Sequence, residues 1–331
     1  YIDAGLRYTE YIPVEEYSVG PMPGRQAMPE VKATDSVYLM SYFKASAQHL
    51  FYAYSRDGKT WTDINGSRPV FNAYDDEVWL RDPYLHRVTH NGKTKFHLIH
   101  TWGWDHPALF HWESDDLIHW TAANGGTRTD DGKIMLMDGH DGGPVSPNAW
   151  APEFTYDGQT GTFYLYWSSR IGDRQVHHYC TTKDWLTFST PAVYFDPGFT
   201  AIDMTILKEG DTYYAYYKDE RNGEKTIRCA TSKSLDPRVQ RFEGSTPLLP
   251  SRYIEVEGPE VFPAIGGKGW FLYFDKFNGD RGVSYTGCTD PSQHKWYPIP
   301  DDEIRNPTEV KHGSVEIIST AELEKLLEHF K

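Results

Sequence analysis

Three features of the sequence predict an all-β fold, a five-bladed β-propeller. A short turn pattern closing on an aromatic recurs five times, its copies lie 54 to 68 residues apart, and each sits between segments rich in Tyr, Phe, Val and Leu. The copies read Ser55-Arg-Asp57-Gly58-Lys-Thr-Trp61, Ser114-Asp-Asp116-Leu-Ile-His-Trp120 and Thr182-Lys-Asp184-Trp-Leu-Thr-Phe188, with weaker forms from Ser232 to Phe242 and from Thr289 to Trp296. One four-stranded blade cannot bury both of its faces alone, so units of this period pack side by side into a ring. The innermost strands then converge on one axis, and that is where a site is expected.

The elements follow in order. Residues 1–35 hold Pro13, Pro21, Pro23 and Pro29 but no copy of the repeat, which predicts an irregular lead-in lying over the propeller. The propeller is expected over 36–319. Its first strands are Val37–Lys44 and His49–Tyr54, with Asp57-Gly58 supplying the next turn. Equivalent pairs come at Lys95–Trp102 with Ala108–Glu113, Thr162–Ser168 with Gln175–Cys180, Thr212–Lys218 with Thr226–Ala230, and Gly269–Phe274 with Gly282–Cys288. Ahead of these four pairs runs one more strand each, starting at Arg81, Trp150, Ala201 and Glu257. The unit at Val37 lacks such a strand, while His312–Ile318 forms a spare one at the far end, so a C-terminal strand is expected to close the ring. Over 320–331 a capping box, Ser319 with Glu322, precedes Leu323, Leu326, Leu327 and Phe330, which predicts a short amphipathic C-terminal helix docked on the propeller. Cys180, Cys229 and Cys288 fall at equivalent places in separate repeats and are not expected to pair.

Composition bounds the partners. Hydrophobic residues make up 39% of 331 and form no run long enough to span a bilayer, so a soluble chain, a monomer off the membrane, is expected. A net charge of −14 repels nucleic acid and anionic surfaces, which leaves a neutral ligand as the easiest partner. Aromatics are 15% of the chain, enough for sugar stacking, although most are expected to fill the seams between blades. The start at Tyr1 without Met reads as a trimmed end, so the expected location is secreted or periplasmic, with the cytoplasm left open.

Three acids stand out by position. Asp82, Asp203 and Glu257 all lie at the start of innermost strands in different repeats and should converge on the axis, where carboxylates repel and push one another's pKa values apart. Most other acids fall in turns or charged loops, where solvated surface explains them.

The order Arg81-Asp82-Pro83, Trp150-Ala-Pro152-Glu153, Ile202-Asp203, Glu257-Gly258-Pro259 and His312-Gly313 resembles glycoside hydrolase family 43, the five-bladed propeller hydrolases that trim arabinose, xylose and related sugars from plant polysaccharides. The resemblance spans about residues 37–318. It implies an inverting mechanism with Asp82 as general base, Asp203 as the carboxylate that orients and tunes the acid, and Glu257 as general acid. It further implies an exo-acting enzyme on plant-derived oligosaccharide or polysaccharide, with α-L-arabinofuranosidase as the expected activity and β-xylosidase or exo-β-galactosidase as alternatives. A non-catalytic carbohydrate-binding propeller is the alternative of another class. The expected sugar contacts are Arg81, Trp102, Trp150, Glu153, Arg281 and His312, with Trp79 and Trp104 as further platforms. No cofactor is required, but a structural calcium near the axis, with His312 as a ligand, fits the family's pattern. Two departures stand out. Met204 follows Asp203 where many relatives have Pro, and Arg-Asp-Pro also resembles fructan-cleaving propellers, which lack the Glu-Gly-Pro context.

Overall fold

The computed structural model describes residues 28–71, 79–249, 255–277 and 282–331. Its strands form five antiparallel four-stranded sheets, each one blade. β1 (Ser36–Lys44), β2 (Ala47–Ser55) and β3 (Trp61–Asp63) belong to blade 1. Blade 2 runs from β4 (Arg81–His90) through β5 (Lys93–Thr101) and β6 (Ala108–Ser114) to β7 (Lys133–Met135). Blade 3 holds β8 (Trp150–Asp157), β9 (Thr162–Ile171), β10 (Arg174–Thr182) and β11 (Ala192–Phe195). Blade 4 holds β12 (Ala201–Glu209), β13 (Thr212–Asp219), β14 (Ile227–Ser232) and β15 (Glu243–Pro247). Blade 5 holds β16 (Val256–Pro263), β17 (Trp270–Lys276), β18 (Gly282–Cys288) and β19 (Tyr297–Pro298). The last strand, β20 (Val310–Ser319), pairs antiparallel with β1 from Ser36↔Ser319 to Lys44↔Val310 and so completes blade 1. The ring closes as expected. The pairing covers the axial edge of β1 and gives blade 1 the innermost strand that the other four blades have.

The repeated turn is a clip between the third and fourth strands of a blade. Asp57 Oδ1 accepts from the amides of Lys59 and Thr60 at 2.8 and 2.7 Å, Asp116 Oδ1 from Ile118 and His119 at 2.9 and 2.8 Å, and Asp184 Oδ1 from Leu186 and Thr187 at 2.9 and 2.8 Å. Its closing aromatics Trp61, Trp120, Phe242 and Trp296 are buried. Five apolar clusters occupy the five seams between neighbouring blades, so most aromatics are structural. Cys180, Cys229 and Cys288 sit on β10, β14 and β18, the third strands of three blades, and are free.

Helix α1 (Thr320–His329) starts at the capping box: Ser319 Oγ accepts from the Glu322 amide, and Glu322 Oε2 from the Ser319 amide. Leu323 and Leu326 pack into the seam between blades 1 and 2, with Phe330 against it. Residues 28–35 lie along blade 5, where Glu30 and Lys268 exchange backbone hydrogen bonds. The rest of the expected lead-in lies outside the described residues.

The first strands share one irregularity that positions the site. Pairing with the second strand slips between Arg81 and Tyr84, Trp150 and Glu153, Ile202 and Thr205, and Glu257 and Glu260. The residue in each bulge has positive φ: Asp82 at 48°, Ala151 at 46°, Asp203 at 55° and Gly258 at 57°. Such bulges re-aim side chains at the rims of barrels and beside active sites, and the strain of a left-handed non-glycine residue is tolerated where the surroundings hold it.

Candidate active site

Asp82, Asp203 and Glu257 line one axial cavity of about 190 Å³. Asp82 and Asp203 occupy the bulge itself, whereas Glu257 stands one residue before its bulge, so the three acids come from non-equivalent places in their strands. Gly258 is needed where it is. Its φ is left-handed, and a Cβ there would meet His312 Cγ at 2.7 Å.

A second ring of residues supports this cavity. Thr101, Ser168, Lys218 and Asp275 pair with Arg81, Trp150, Ile202 and Glu257, all at the upper ends of second strands, and all four are buried. Each reaches across to the first strand of the next blade. Thr101 Oγ1 accepts from the Ala151 amide at 2.8 Å and donates to Asp82 Oδ2 at 2.8 Å. Ser168 Oγ accepts from the Asp203 amide at 3.2 Å, and Lys218 Nζ donates to Glu257 Oε2 at 2.8 Å. Asp275 Oδ2 accepts from the His312 amide at 2.9 Å. None of these four was singled out from the sequence. A signal was present, because each ends an apolar or aromatic run with a polar residue at the same place in its repeat: Leu98-Ile-His-Thr101, Leu165-Tyr-Trp-Ser168, Ala215-Tyr-Tyr-Lys218 and Leu272-Tyr-Phe-Asp275.

Electrostatics separates the acids. Burial alone would raise Asp82, but the hydrogen bond and charge of His312, with Arg81 and Thr101, hold its carboxyl below the usual range. Burial, then the nearby carboxylates of Glu257 and Asp82, raises Asp203 to about 6 against the opposing charges of His312 and Lys218. Asp203 Oδ2 accepts from the Gly258 amide at 3.0 Å and so fixes the backbone next to Glu257. Burial lifts Asp275 to about 7. His312 moves the other way from its burial. Asp82, 3.5 Å from its Nδ1, together with Asp203 and Asp275, raises the imidazole to about 10 and keeps it cationic.

Other sequence-derived contacts divide. Arg81 and Trp150 line the cavity, and so does Trp104. The Arg81 guanidinium lies between the rings of Phe43 and Trp104, 4.8 and 4.3 Å from their centroids, and the Trp150 indole N–H donates to the Trp104 carbonyl at 2.8 Å. Trp102 and Glu153 are corrections. Trp102, just past the end of β5, stacks on His106 with ring centroids 3.9 Å apart and packs against the seam between blades 1 and 2. Glu153 lies two residues past its bulge, where alternation returns the side chain to the axis one layer deeper. There it accepts from Tyr166 Oη at 3.3 Å, and burial with the adjacent Glu260 pushes its carboxyl well above the usual carboxylate range. Arg281 lies outside the described residues, and Trp79 is exposed.

A calcium near the axis would draw on the carboxylates of Asp82, Asp203, Glu257 and Asp275, the last of which has a buried Oδ1 with no hydrogen-bond partner among the described residues, while His312 Nδ1 faces Asp82 Oδ1 at 3.5 Å. Elsewhere among the described residues, His97, His111 and Glu113 bring ligand-type atoms within 4.8 Å. That cluster is internally satisfied, with His97 Nδ1 hydrogen-bonded to His111 Nε2 at 3.0 Å and Glu113 paired to Lys95 at 2.9 Å.

Five blades with carboxylates converging on the axis define a propeller glycoside hydrolase. Residues 35–324 match the family model described as "probable glycosyl hydrolase domain", a family related to glycoside hydrolase family 43, and the chain belongs to that family-43-related family. An α-L-arabinofuranosidase of Bifidobacterium longum subsp. longum is 27% identical over 249 residues, covering 61% of this chain and 22% of that protein. The chain thus spans about a fifth of that relative's length. Among solved structures, an endo-1,4-β-xylanase from Bacteroides thetaiotaomicron superposes with TM-score 0.57 at 17% identity, over 87% of this chain and 98% of that one. A family-43 β-1,3-galactosidase gives TM-score 0.58 at 11% identity, over 89% of this chain and 60% of that one. These two likenesses show the fold.

Proposed function

We propose that the protein is an inverting, exo-acting hydrolase that removes a terminal sugar from side chains of plant polysaccharides, with α-L-arabinofuranoside as its first substrate class. One observation carries the reading: three carboxylates from three blades share one cavity with unlike surroundings. Asp82, kept ionised by His312 and Thr101, is the base that takes a proton from the attacking water. Glu257, with Oε2 held by Lys218, delivers a proton from its other oxygen to the leaving group. Water attacks the anomeric carbon as the glycosidic bond breaks, and the product leaves with inverted configuration. Asp203 acts through the Gly258 backbone and its charge. The arabinofuranosidase relative supports the choice of sugar; β-xyloside and β-galactoside are the alternatives, since loops rather than the acids set the pocket.

A panel of aryl arabinofuranosides, xylosides and galactosides tests it. Asp82→Asn is expected to lower kcat about 10²–10⁴-fold on every substrate cleaved, and Glu257→Gln by a similar factor on natural glycosides but less on aryl glycosides with good leaving groups. A wild type that binds sugars and cleaves none makes the protein a lectin-like propeller instead.

A further inference from the structure

The axial cavity does not end at the acid. A second cavity of about 470 Å³ adjoins it and shares three wall residues, Trp150, Ile202 and Glu220. Glu220 fixes which side this is. Lys218 Nζ bridges Glu220 Oε1 at 2.5 Å and Glu257 Oε2 at 2.8 Å, so the common wall stands beside Glu257. In an inverting hydrolase the acid faces the leaving oxygen, and whatever carries that oxygen lies on the acid's side.

We infer that this second cavity, which runs outward between blades 3 and 4, binds the sugar next to the scissile bond and so selects oligosaccharides over small glycosides. The inference rests on the hydrolase reading of the axial site. The cavity's chemistry suits a neutral sugar. Trp150 offers an aromatic face, and Gln175, buried, accepts from Asn148 through its Oε1 at 3.2 Å, which leaves its amide N–H₂ for the ligand. Arg221 is pre-ordered: its Nε and Nη2 donate to Asp219 at 3.0 and 2.6 Å, and its guanidinium lies 3.9 Å from the Phe199 ring centroid. Asn222 adds a donor and an acceptor beside it. A rigid guanidinium and two amides match hydroxyl groups at little entropic cost.

The test compares two substrates with the same terminal sugar, chosen as the one wild type cleaves best: an aryl glycoside, and an oligosaccharide with at least two further sugars. For Arg221→Ala and Asn222→Ala the ratio of oligosaccharide to aryl-glycoside kcat/KM is expected to fall about tenfold and about fivefold, the losses typical of one charged and one neutral hydrogen bond. Asn222→Ala guards against a folding defect, because Arg221 also neutralises the buried Asp219. Ratios equal to wild type in both variants overturn the inference while leaving the hydrolase reading intact. A wild type that cleaves no glycoside overturns both.

Discussion

Gly258→Ala probes the coupling between backbone strain and site geometry most directly. An L-residue at φ of 57° costs about 1–2 kcal/mol, and the added Cβ would lie 2.7 Å from His312 Cγ, near the root of that side chain, where it cannot swing aside freely. Overpacking of this kind costs about 1–3 kcal/mol, for a total of about 2–5 kcal/mol. In a protein of 331 residues that corresponds to a fall in Tm of roughly 3–7 °C. Activity should fall further than stability. Moving His312 displaces the partner that keeps Asp82 ionised, and misplacement of about 1 Å costs on the order of 10²-fold. Gly258→Asn separates the causes, because Asn tolerates the left-handed region yet carries the same Cβ. Calorimetry and kcat/KM on the best aryl glycoside provide the readout. Wild-type Tm and kcat/KM for Gly258→Ala would refute the argument, and full recovery in Gly258→Asn would show that backbone strain alone, not the His312 contact, requires glycine.

Two further outcomes follow from the structure. Truncation after Lys311 removes all but the first two residues of β20 and the whole of α1, with buried Val315, Ile318, Leu323 and Leu326; at about 1.5–3 kcal/mol each, the loss approaches a whole domain's stability, so a truncated chain that melts cooperatively like wild type would contradict ring closure. His312→Gln tests the imidazolium. A histidine raised from 6.5 to about 10 contributes stability that is complete below pH 6.5 and lost as pH rises through about 10, with an upper bound of about 5 kcal/mol, so the stability gap between wild type and variant should narrow across pH 7–10. The acidic limb of kcat/KM should also move upward, since Asp82 loses the strongest of the influences that depress its pKa. A gap that stays constant from pH 6 to 10 contradicts the assignment.

Much of the architecture was legible in the sequence. The spacing of Trp61, Trp120, Phe188, Phe242 and Trp296 reported five blades because those aromatics close a turn each blade needs, and the missing strand before Val37 with the spare one at His312 reported the closure. Asp82, Asp203 and Glu257 were visible as acids at strand starts. Glu153 was misplaced because a bulge breaks strict alternation, so counting residues along a strand cannot tell the rim of the axis from the layer beneath it, whereas Trp102, just past the end of β5, packs against a blade seam.

By itself, then, the sequence determined what repeats locally: turn clips, apolar alternation, the capping box and the acids at the heads of strands, all set by contacts within a few residues or by a period. Only the tertiary structure decided which polar residue meets which acid. Thr101, Ser168, Lys218 and Asp275 each act across a blade seam, 35 to 50 residues from the partner, and their charges and hydrogen bonds exist only once the ring brings neighbouring strand ends together. The same closure places His312 beside Asp82, although 230 residues separate them, and that burial and pairing set the protonation states of the site.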